Sequence, residues 1–391
     1  MKISVIASTA ENYVAPKEEF DRLSGHAAGV CYMTNNLEQL FNEPEEKTIK
    51  RCNNTKTRQH HSVFGHPFIS LSLEDIPKGL AMVLNNEGIY NTSEKSARYT
   101  KMVLNPEEQK LYDKWLDIYK NLIREEYQEK YPQFFTDSKI ENLAKEKARY
   151  LISVFTPISM VYTVSYQQLN YIYKMMINEL KNENSDAFMT ALKPAMEKFC
   201  NALEQTPYLD EGIYTGVDNK NRKLSLIGSS IKPEEYFGDV YITSYEGSFA
   251  ELAQAQRHRT LNYQMTLLDE PKFYVPAIIE RSADLTREWL SDCEKQTKVF
   301  PQGMLVNITE SGTMDWFIQK MKERKCSQAQ DEINRQTNDT LTRYVAELKA
   351  KNHARAEELS KYTKGARCTF PDYKCPKPCG FLEGINETRI V

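Results

Sequence analysis

Three consecutive cationic or hydrogen-donating side chains, Arg257, His258 and Arg259, stand at the end of an apparent helix that Ser248 is expected to cap and that also carries Gln254. Arginine offers a rigid fork of donors that matches the oxygens of a phosphate, and histidine can donate a hydrogen bond to a ring carbonyl. A solvated basic turn would have the same composition. The cluster by itself therefore indicates either an anion site or an ordinary polar turn.

A second chemically capable group lies near the C-terminus, where Cys368, Cys375 and Cys379 are separated by six and three residues in a Pro-rich stretch. Thiolates are preferred zinc ligands, and a closed structural zinc site normally has four ligands. Cys326, Cys52 and His353 are all candidates for the fourth ligand. The sequence predicts a metal site, most simply zinc, against the alternative of a solvated tail with free thiols.

The run Gln254-x-x-Arg257-His258-Arg259 resembles the signature of the flavin-dependent thymidylate synthases, whose motif continues as R-H-R-x-x-S-x-N-E-x-S-x-R-Y. Residues 257–269 read RHRTLNYQMTLLD. The beginning matches the family motif, whereas Leu267 and Asp269 replace its serine and arginine.

The first half of the sequence carries the missing end of this motif. Residues 86–99 read NEGIYNTSEKSARY, in which Glu94, Ser96 and Arg98 fit E-x-S-x-R and N-E-G replaces R-H-R. Upstream, His60 opens a run that resembles the family segment H-x-[ST]-x-x-E-H, with Gly65 in place of glutamate.

Two further arginines lie in segments that resemble family motifs. Arg149 follows Ala148 as in the A-R-x-x-L helix, and Arg324 opens a run similar to R-A-x-x-x-A-Q-x-E-I. The resemblance covers residues 55–180 and 237–345. It indicates a tandem internal duplication whose two degenerate halves keep complementary parts of one active site.

The resemblance implies transfer of a methylene group from methylenetetrahydrofolate to C5 of dUMP and its reduction by FAD, with NADPH as the reductant. The implied catalytic residues are Arg324, Arg149 and His60, and the implied flavin contacts are Arg257, His258, Arg259 and His60. The implied nucleotide contacts are Gln254, Arg257, Glu94, Ser96, Ala97, Arg98, Arg149 and Arg324. Another pyrimidine nucleotide, such as UMP or dCMP, and a non-catalytic flavin- or nucleotide-binding homologue remain alternatives.

Family members are homotetramers whose active sites draw on several subunits. If each chain contributes two copies of the fold, two chains complete the same arrangement. The resemblance therefore implies a homodimer that mimics the tetramer.

The elements that must position these residues indicate an α+β fold. Strands are expected over residues 2–7, 68–73 and 239–244, and a long helix is expected from Asn105, with Pro106 in its first turn. Its apolar stripe is Leu111, Trp115, Ile118 and Leu122. We expect a first half over residues 1–210, a second over 211–350, and a helix with a Cys-rich tail over 351–391.

Composition restricts the partners of the chain. The 391 residues have a formal net charge of −3, which does not favour a general nucleic-acid binder. Mean hydropathy is −0.61, and no apolar run approaches the ~20 residues needed to span a bilayer. The start of the chain lacks the features of a signal peptide. We expect a soluble, cytoplasmic protein that binds neither nucleic acid nor membranes.

Overall fold

The computed structural model describes residues 1–8, 15–32, 37–95, 102–214, 224–227 and 233–391. The chain divides into two compact units: the first unit is Met1–Lys95 with Pro157–Ser229, and the second unit is Ser96–Thr156 with Ser230–Val391. Neither unit is continuous in sequence. The predicted first half, 1–210, thus includes a segment that groups with the second unit.

The described residues contain eight strands and sixteen α-helices. The strands are β1 (Lys2–Ser8), β2 (Phe68–Pro77), β3 (Tyr90–Glu94), β4 (Pro157–Ser165), β5 (Tyr236–Phe237), β6 (Val240–Ser248), β7 (Asn262–Leu267) and β8 (Leu305–Thr313). The helices are α1 (Lys17–Tyr32), α2 (Leu37–Phe41), α3 (Glu45–Thr57), α4 (Lys78–Leu84), α5 (Pro106–Ile123), α6 (Asp137–Ala148), α7 (Tyr166–Leu180), α8 (Ala187–Glu204), α9 (Glu211–Tyr214), α10 (Phe249–Ala255), α11 (Ala277–Glu280), α12 (Ala283–Glu294), α13 (Met314–Arg324), α14 (Asp331–Ala350), α15 (Ala356–Ser360) and α16 (Leu382–Ile385). None of the helices in these ranges is long and apolar enough to cross a membrane.

Each unit contains a four-stranded antiparallel sheet, so the predicted α+β class is confirmed. The strand order is β1-β2-β4-β3 in the first unit and β5-β6-β8-β7 in the second. Alternate residues of β2, including Ile69, Leu71 and Leu73, are fully buried. This alternation places one face of the sheet on the core and explains why the strand was recognisable from its period of two.

The two sheets share local details as well as strand order. A short helix follows the second strand of each sheet, α4 after β2 and α10 after β6, and in each case a residue with left-handed backbone comes before the next strand. These residues are Gly88, with φ 76°, and Arg259, with φ 59°. They are the third residues of the N-E-G and R-H-R triplets. A duplicated sequence would have this pattern, and the duplication stays a prediction.

The long helix α5 begins as predicted. The Asn105 side chain accepts hydrogen bonds from the backbone N–H groups of Glu107 and Glu108, and the Glu108 side chain accepts one from the Asn105 backbone. This reciprocal capping box satisfies donors that a helix end otherwise leaves unpaired.

The buried face of α5 differs from the predicted stripe. Trp115, Tyr119 and Ile123 are fully buried, whereas Leu111, Ile118 and Leu122 are half-buried. The reason is the partner of the helix. Trp115 packs edge-on against Trp289 of α12, with ring centroids 4.8 Å apart, and its indole N–H donates to Asp292.

Candidate active site

The helix that carries Gln254 is fixed at its start by a buried glutamate. Ser248 caps α10 by accepting a hydrogen bond from the Glu251 backbone N–H at 3.1 Å, as the sequence predicted. Ser248 also donates its backbone N–H and its hydroxyl to Glu332, at 2.9 and 2.7 Å. Glu332 lies in the first turn of α14, so α10 and α14 are held together at one end.

Arg149 joins the same group of residues. The Arg149 guanidinium donates to the side-chain oxygen of Gln330, and the Gln330 amide N–H donates to the Tyr150 hydroxyl. Tyr150 in turn donates to Glu332 at 2.7 Å. The segment containing Arg149 therefore lies in the second unit, beside residues of the motif that Arg324 opens.

Arg324 and Gln254 are in direct contact. Arg324 is the last residue of α13, and its Nη2 donates to the backbone carbonyl of Gln254 at 2.8 Å. The backbone carbonyl of Arg324 accepts a hydrogen bond from Asn334 of α14 at 2.9 Å. These bonds fix the end of α13 against α10 and α14.

A cavity of about 290 Å³ lies beside this contact. The Gln254 side chain is only 8% exposed, and its amide oxygen has no hydrogen-bond partner among the described residues. A buried polar atom without a partner costs free energy unless a ligand or water satisfies it. The residues lining the cavity are Lys139, Asn142, Leu143, Glu146, Gln254, Glu323, Arg324, Cys326, Gln328, Ala329 and Arg367.

Arg367 and Lys139 are residues of this cavity that sequence reasoning missed. Arg367 lies in the Cys-rich tail, where its Nη1 donates to the carbonyl of Lys322. Lys139 donates to the Gln328 side chain at 2.8 Å. Neither residue lies in a segment that resembles a family motif, so only their positions in the fold identify them.

The R-H-R triplet follows α10 directly. Gln256–His258 form a 3-10 turn, Arg257 is exposed, and the exposed Arg259 adopts left-handed backbone angles. A non-glycine residue in that conformation is uncommon and is concentrated at turns and functional sites. The side chain of His258 lies outside the described structure.

The first unit holds the remaining predicted residues. His60 is exposed, just before the 3-10 turn His61–Gly65. The Glu94 carboxylate accepts hydrogen bonds from Lys78 and from Asn85, so it is engaged within the unit. Ser96, Ala97 and Arg98 lie outside the described residues. The Asn86–Glu87 pair, which replaces Arg-His of the motif, is buried, and Glu87 accepts a hydrogen bond from Ser225.

Two buried carboxyl groups lie next to the start of α10. Burial raises the pKa of Glu332, and burial together with the charge of Glu332 raises the pKa of Glu251 well above its ordinary value. Two adjacent buried carboxylates disfavour each other's charge, so this pair keeps a proton to higher pH than an exposed glutamate does.

The predicted metal ligands Cys368, Cys375 and Cys379 all lie in the described part of the tail, with free thiols. Within the described ranges, no three His, Cys, Asp or Glu side chains form a group that could hold a metal ion. The described residues therefore contain no preformed metal site, and the zinc prediction is not confirmed.

Comparison with known proteins gives a family-model match over part of the chain and a weak structural likeness. Residues 14–200 match the family model described as thymidylate synthase complementing protein. No curated protein matches the chain. A thymidylate synthase X from Helicobacter pylori, solved with FAD and dUMP, is 14% identical; the match covers 57% of this chain and 100% of that one, with a TM-score of 0.33. The UMP/dUMP methylase PolB from Streptomyces cacaoi is 16% identical, with 53% and 96% covered and a TM-score of 0.29.

Proposed function

We propose that the chain, whose residues 14–200 match the thymidylate synthase complementing protein model, is a flavin-dependent thymidylate synthase that converts dUMP to dTMP. In the proposed reaction a methylene group passes from methylenetetrahydrofolate to C5 of the pyrimidine and is reduced to a methyl group. NADPH would first reduce the bound FAD, and the reduced flavin would supply the hydride and return to FAD. The products are dTMP and tetrahydrofolate.

One observation carries this proposal: Arg324 lines the same cavity as Gln254, whose buried amide oxygen has no partner among the described residues. A pyrimidine ring offers both an N–H group and carbonyl oxygens. The Gln254 oxygen would accept from the ring N–H, and the arginine would donate to a carbonyl. Negative charge that develops on the ring during attack at C5 would be stabilised by such fixed donors.

The other residues enter the proposal by the family resemblance. Arg149, held by Gln330, would join Arg324 at the pyrimidine, and His60 would lie on the flavin–nucleotide side. The triplet Arg257, His258 and Arg259 would contact the flavin. The segment Ser96, Ala97 and Arg98 would bind the nucleotide phosphate together with Glu94.

The test is release of tritium from the C5 position of labelled dUMP, with methylenetetrahydrofolate, FAD and NADPH present. We expect release by the unchanged protein and a loss of at least about tenfold in Arg324→Ala, since a charged hydrogen bond contributes over 1 kcal/mol. Arg281→Ala is the matched control, because Arg281 is an exposed arginine of the same unit, paired with Glu126. It should retain full activity.

The same assay separates the alternatives. Modification of UMP or dCMP in place of dUMP would identify a different substrate for the same kind of C5 modification. Binding of FAD and dUMP without any tritium release would identify a non-catalytic homologue and contradict the proposed reaction.

A further inference from the structure

Four cysteines border one large cavity in the second unit. Cys326, Cys368, Cys375 and Cys379 all line a space of about 1040 Å³ next to the end of α13. Four thiols around one cavity match the number of ligands in a structural zinc site.

The tail that carries three of these cysteines is anchored beside the fourth. The backbone N–H of Arg367 donates to the carbonyl of Lys325, and the buried Arg389 side chain donates to the carbonyls of Ser327 and Ala329 at 3.0 and 2.8 Å. The thiol of Cys379 lies 3.9 Å from the Ser327 hydroxyl. These bonds hold the tail beside the segment around Cys326 at Arg367 and Arg389, on either side of Cys368, Cys375 and Cys379.

The other two candidates for a fourth ligand have different surroundings. Cys52 is fully buried in α3 of the first unit, where its pKa is raised to about 12, chiefly by burial. His353 accepts a hydrogen bond from the backbone N–H of Arg355 at its Nδ1, and its Nε2 faces Asp239 at 3.9 Å. Neither residue lines the four-cysteine cavity.

The charge around the cavity suits a thiolate site. Four thiolates around a divalent ion have a net charge of −2, which nearby cations must offset. Lys139, Arg367, Lys374 and Lys377 line the cavity, and no Asp or Glu is among the described residues that do so. A site of this composition favours soft, thiophilic metals over calcium or magnesium, which prefer oxygen ligands.

We propose that Cys326, Cys368, Cys375 and Cys379 bind one zinc ion through four thiolates. The described thiols are not yet within the Zn–S distance of ~2.3 Å, so binding draws the tail residues towards Cys326. The ion then replaces four separate thiols with a closed tetrahedral site and releases their protons.

The test uses the full chain, purified with a non-chelating reductant, and measures metals by elemental analysis. About one zinc ion per chain is expected for a closed site. Cys326→Ser and Cys375→Ser should each lose most of it. Cys31→Ser is the matched control, because Cys31 is an exposed cysteine of the first unit, and it should keep the full zinc content.

Cobalt substitution of the unchanged protein gives a second measurement that does not depend on how well a variant folds. Intense visible bands of tetrahedral cobalt, with thiolate charge-transfer absorption, are expected for four sulfur ligands. Absence of stoichiometric metal, full zinc retention in Cys326→Ser, or iron with acid-labile sulfide in place of zinc would each overturn the proposal.

Discussion

The hydrogen bonding of the buried Gln254 side-chain amide distinguishes a ligand-binding role of this residue from a structural role. Its oxygen has no partner among the described residues, and the hydrogen bond from Arg324 goes to the backbone carbonyl of Gln254. A side chain kept for stability would be expected to have its polar atoms paired. The Gln254 side chain is thus better placed to satisfy a ligand than to stabilise the fold.

We predict that Gln254→Leu weakens dUMP binding by about tenfold, which corresponds to about 1.4 kcal/mol. The variant should melt at the same temperature as the unchanged protein or slightly higher, because no hydrogen bond to this oxygen is lost. Calorimetric titration and thermal melting test both points. Lower stability with unchanged affinity would show that Gln254 serves the fold.

The Tyr150 hydroxyl is the central group of the buried network, since it accepts from Gln330 and donates to Glu332. We predict that Tyr150→Phe lowers the free energy of unfolding by about 1–3 kcal/mol, the cost of leaving buried polar groups unpaired. Urea unfolding measures the effect.

Tyr173→Phe is the matched control for this substitution. Tyr173 also donates to a glutamate, Glu204 at 2.7 Å, but this hydrogen bond is exposed. Water replaces the lost partner there, so a change within about 0.5 kcal/mol is expected. Equal losses in the two variants would contradict the importance assigned to burial.

At the residue scale, motif resemblance selected the arginines and Gln254 but not their neighbours. Arg324 and Gln254 do meet, and Arg149 lies against Gln330. Tyr150 and Arg367 could not be selected in the same way. A tyrosine at a helix end has the appearance of an ordinary core residue, and Arg367 reaches its cavity only through the fold of the tail.

Among the elements, helices α10 and α14 meet at the Glu251–Glu332 pair. Both carboxyls have raised pKa values in the folded protein, whereas an unfolded glutamate titrates near pH 4.3. Above about pH 4.3 this pair therefore holds more protons in the folded state than in the unfolded state. Its contribution to the stability of the folded state falls as pH rises.

We predict that Glu251→Gln reduces the fall in melting temperature between about pH 5 and 8, because the variant has no proton to lose at this position. Glu347→Gln, at an exposed position of α14, should follow the unchanged protein. His26, whose pKa is lowered by burial, is present in all three proteins, so its titration cancels in the comparison. Parallel curves of melting temperature against pH for the three proteins would refute the interpretation that the two carboxyl groups share a proton.

Elements whose signals are local were predictable from sequence. Asn105 and Ser248 cap the helices that they were expected to cap, and β2 alternates as expected. The buried face of α5 was not predictable, because Trp289 and Asp292 determine it from a distant part of the chain. The same distance explains why residues 96–156 could not be assigned to the second unit.

For the whole molecule, the repeated strand order fits the expectation of two copies of one fold in each chain. We predict a homodimer that binds one FAD and one dUMP per chain, because each sequence half retains a different part of the family motif. The opposite pairing of halves would bring Leu267 and Asp269 together with Asn86 and Glu87, and the carboxylates of Asp269 and Glu87 would oppose binding of a phosphate.

Light scattering gives the number of chains in the assembly, and calorimetric titration gives the number of ligands bound. A tetramer of chains would be inconsistent with two copies of the fold per chain. Two nucleotides bound per chain would show that the halves have not specialised.

The discontinuous second unit also has a consequence for synthesis on the ribosome. Residues 96–156 emerge before Pro157–Ser229 and long before the end of the chain, which completes their own unit. At ~5–20 residues per second, roughly 7–27 s separate the appearance of Thr156 from that of Trp289, which lies 133 residues later. During that time Trp115, Tyr119 and Ile123 lack Trp289, and the nascent chain offers this apolar face to chaperones.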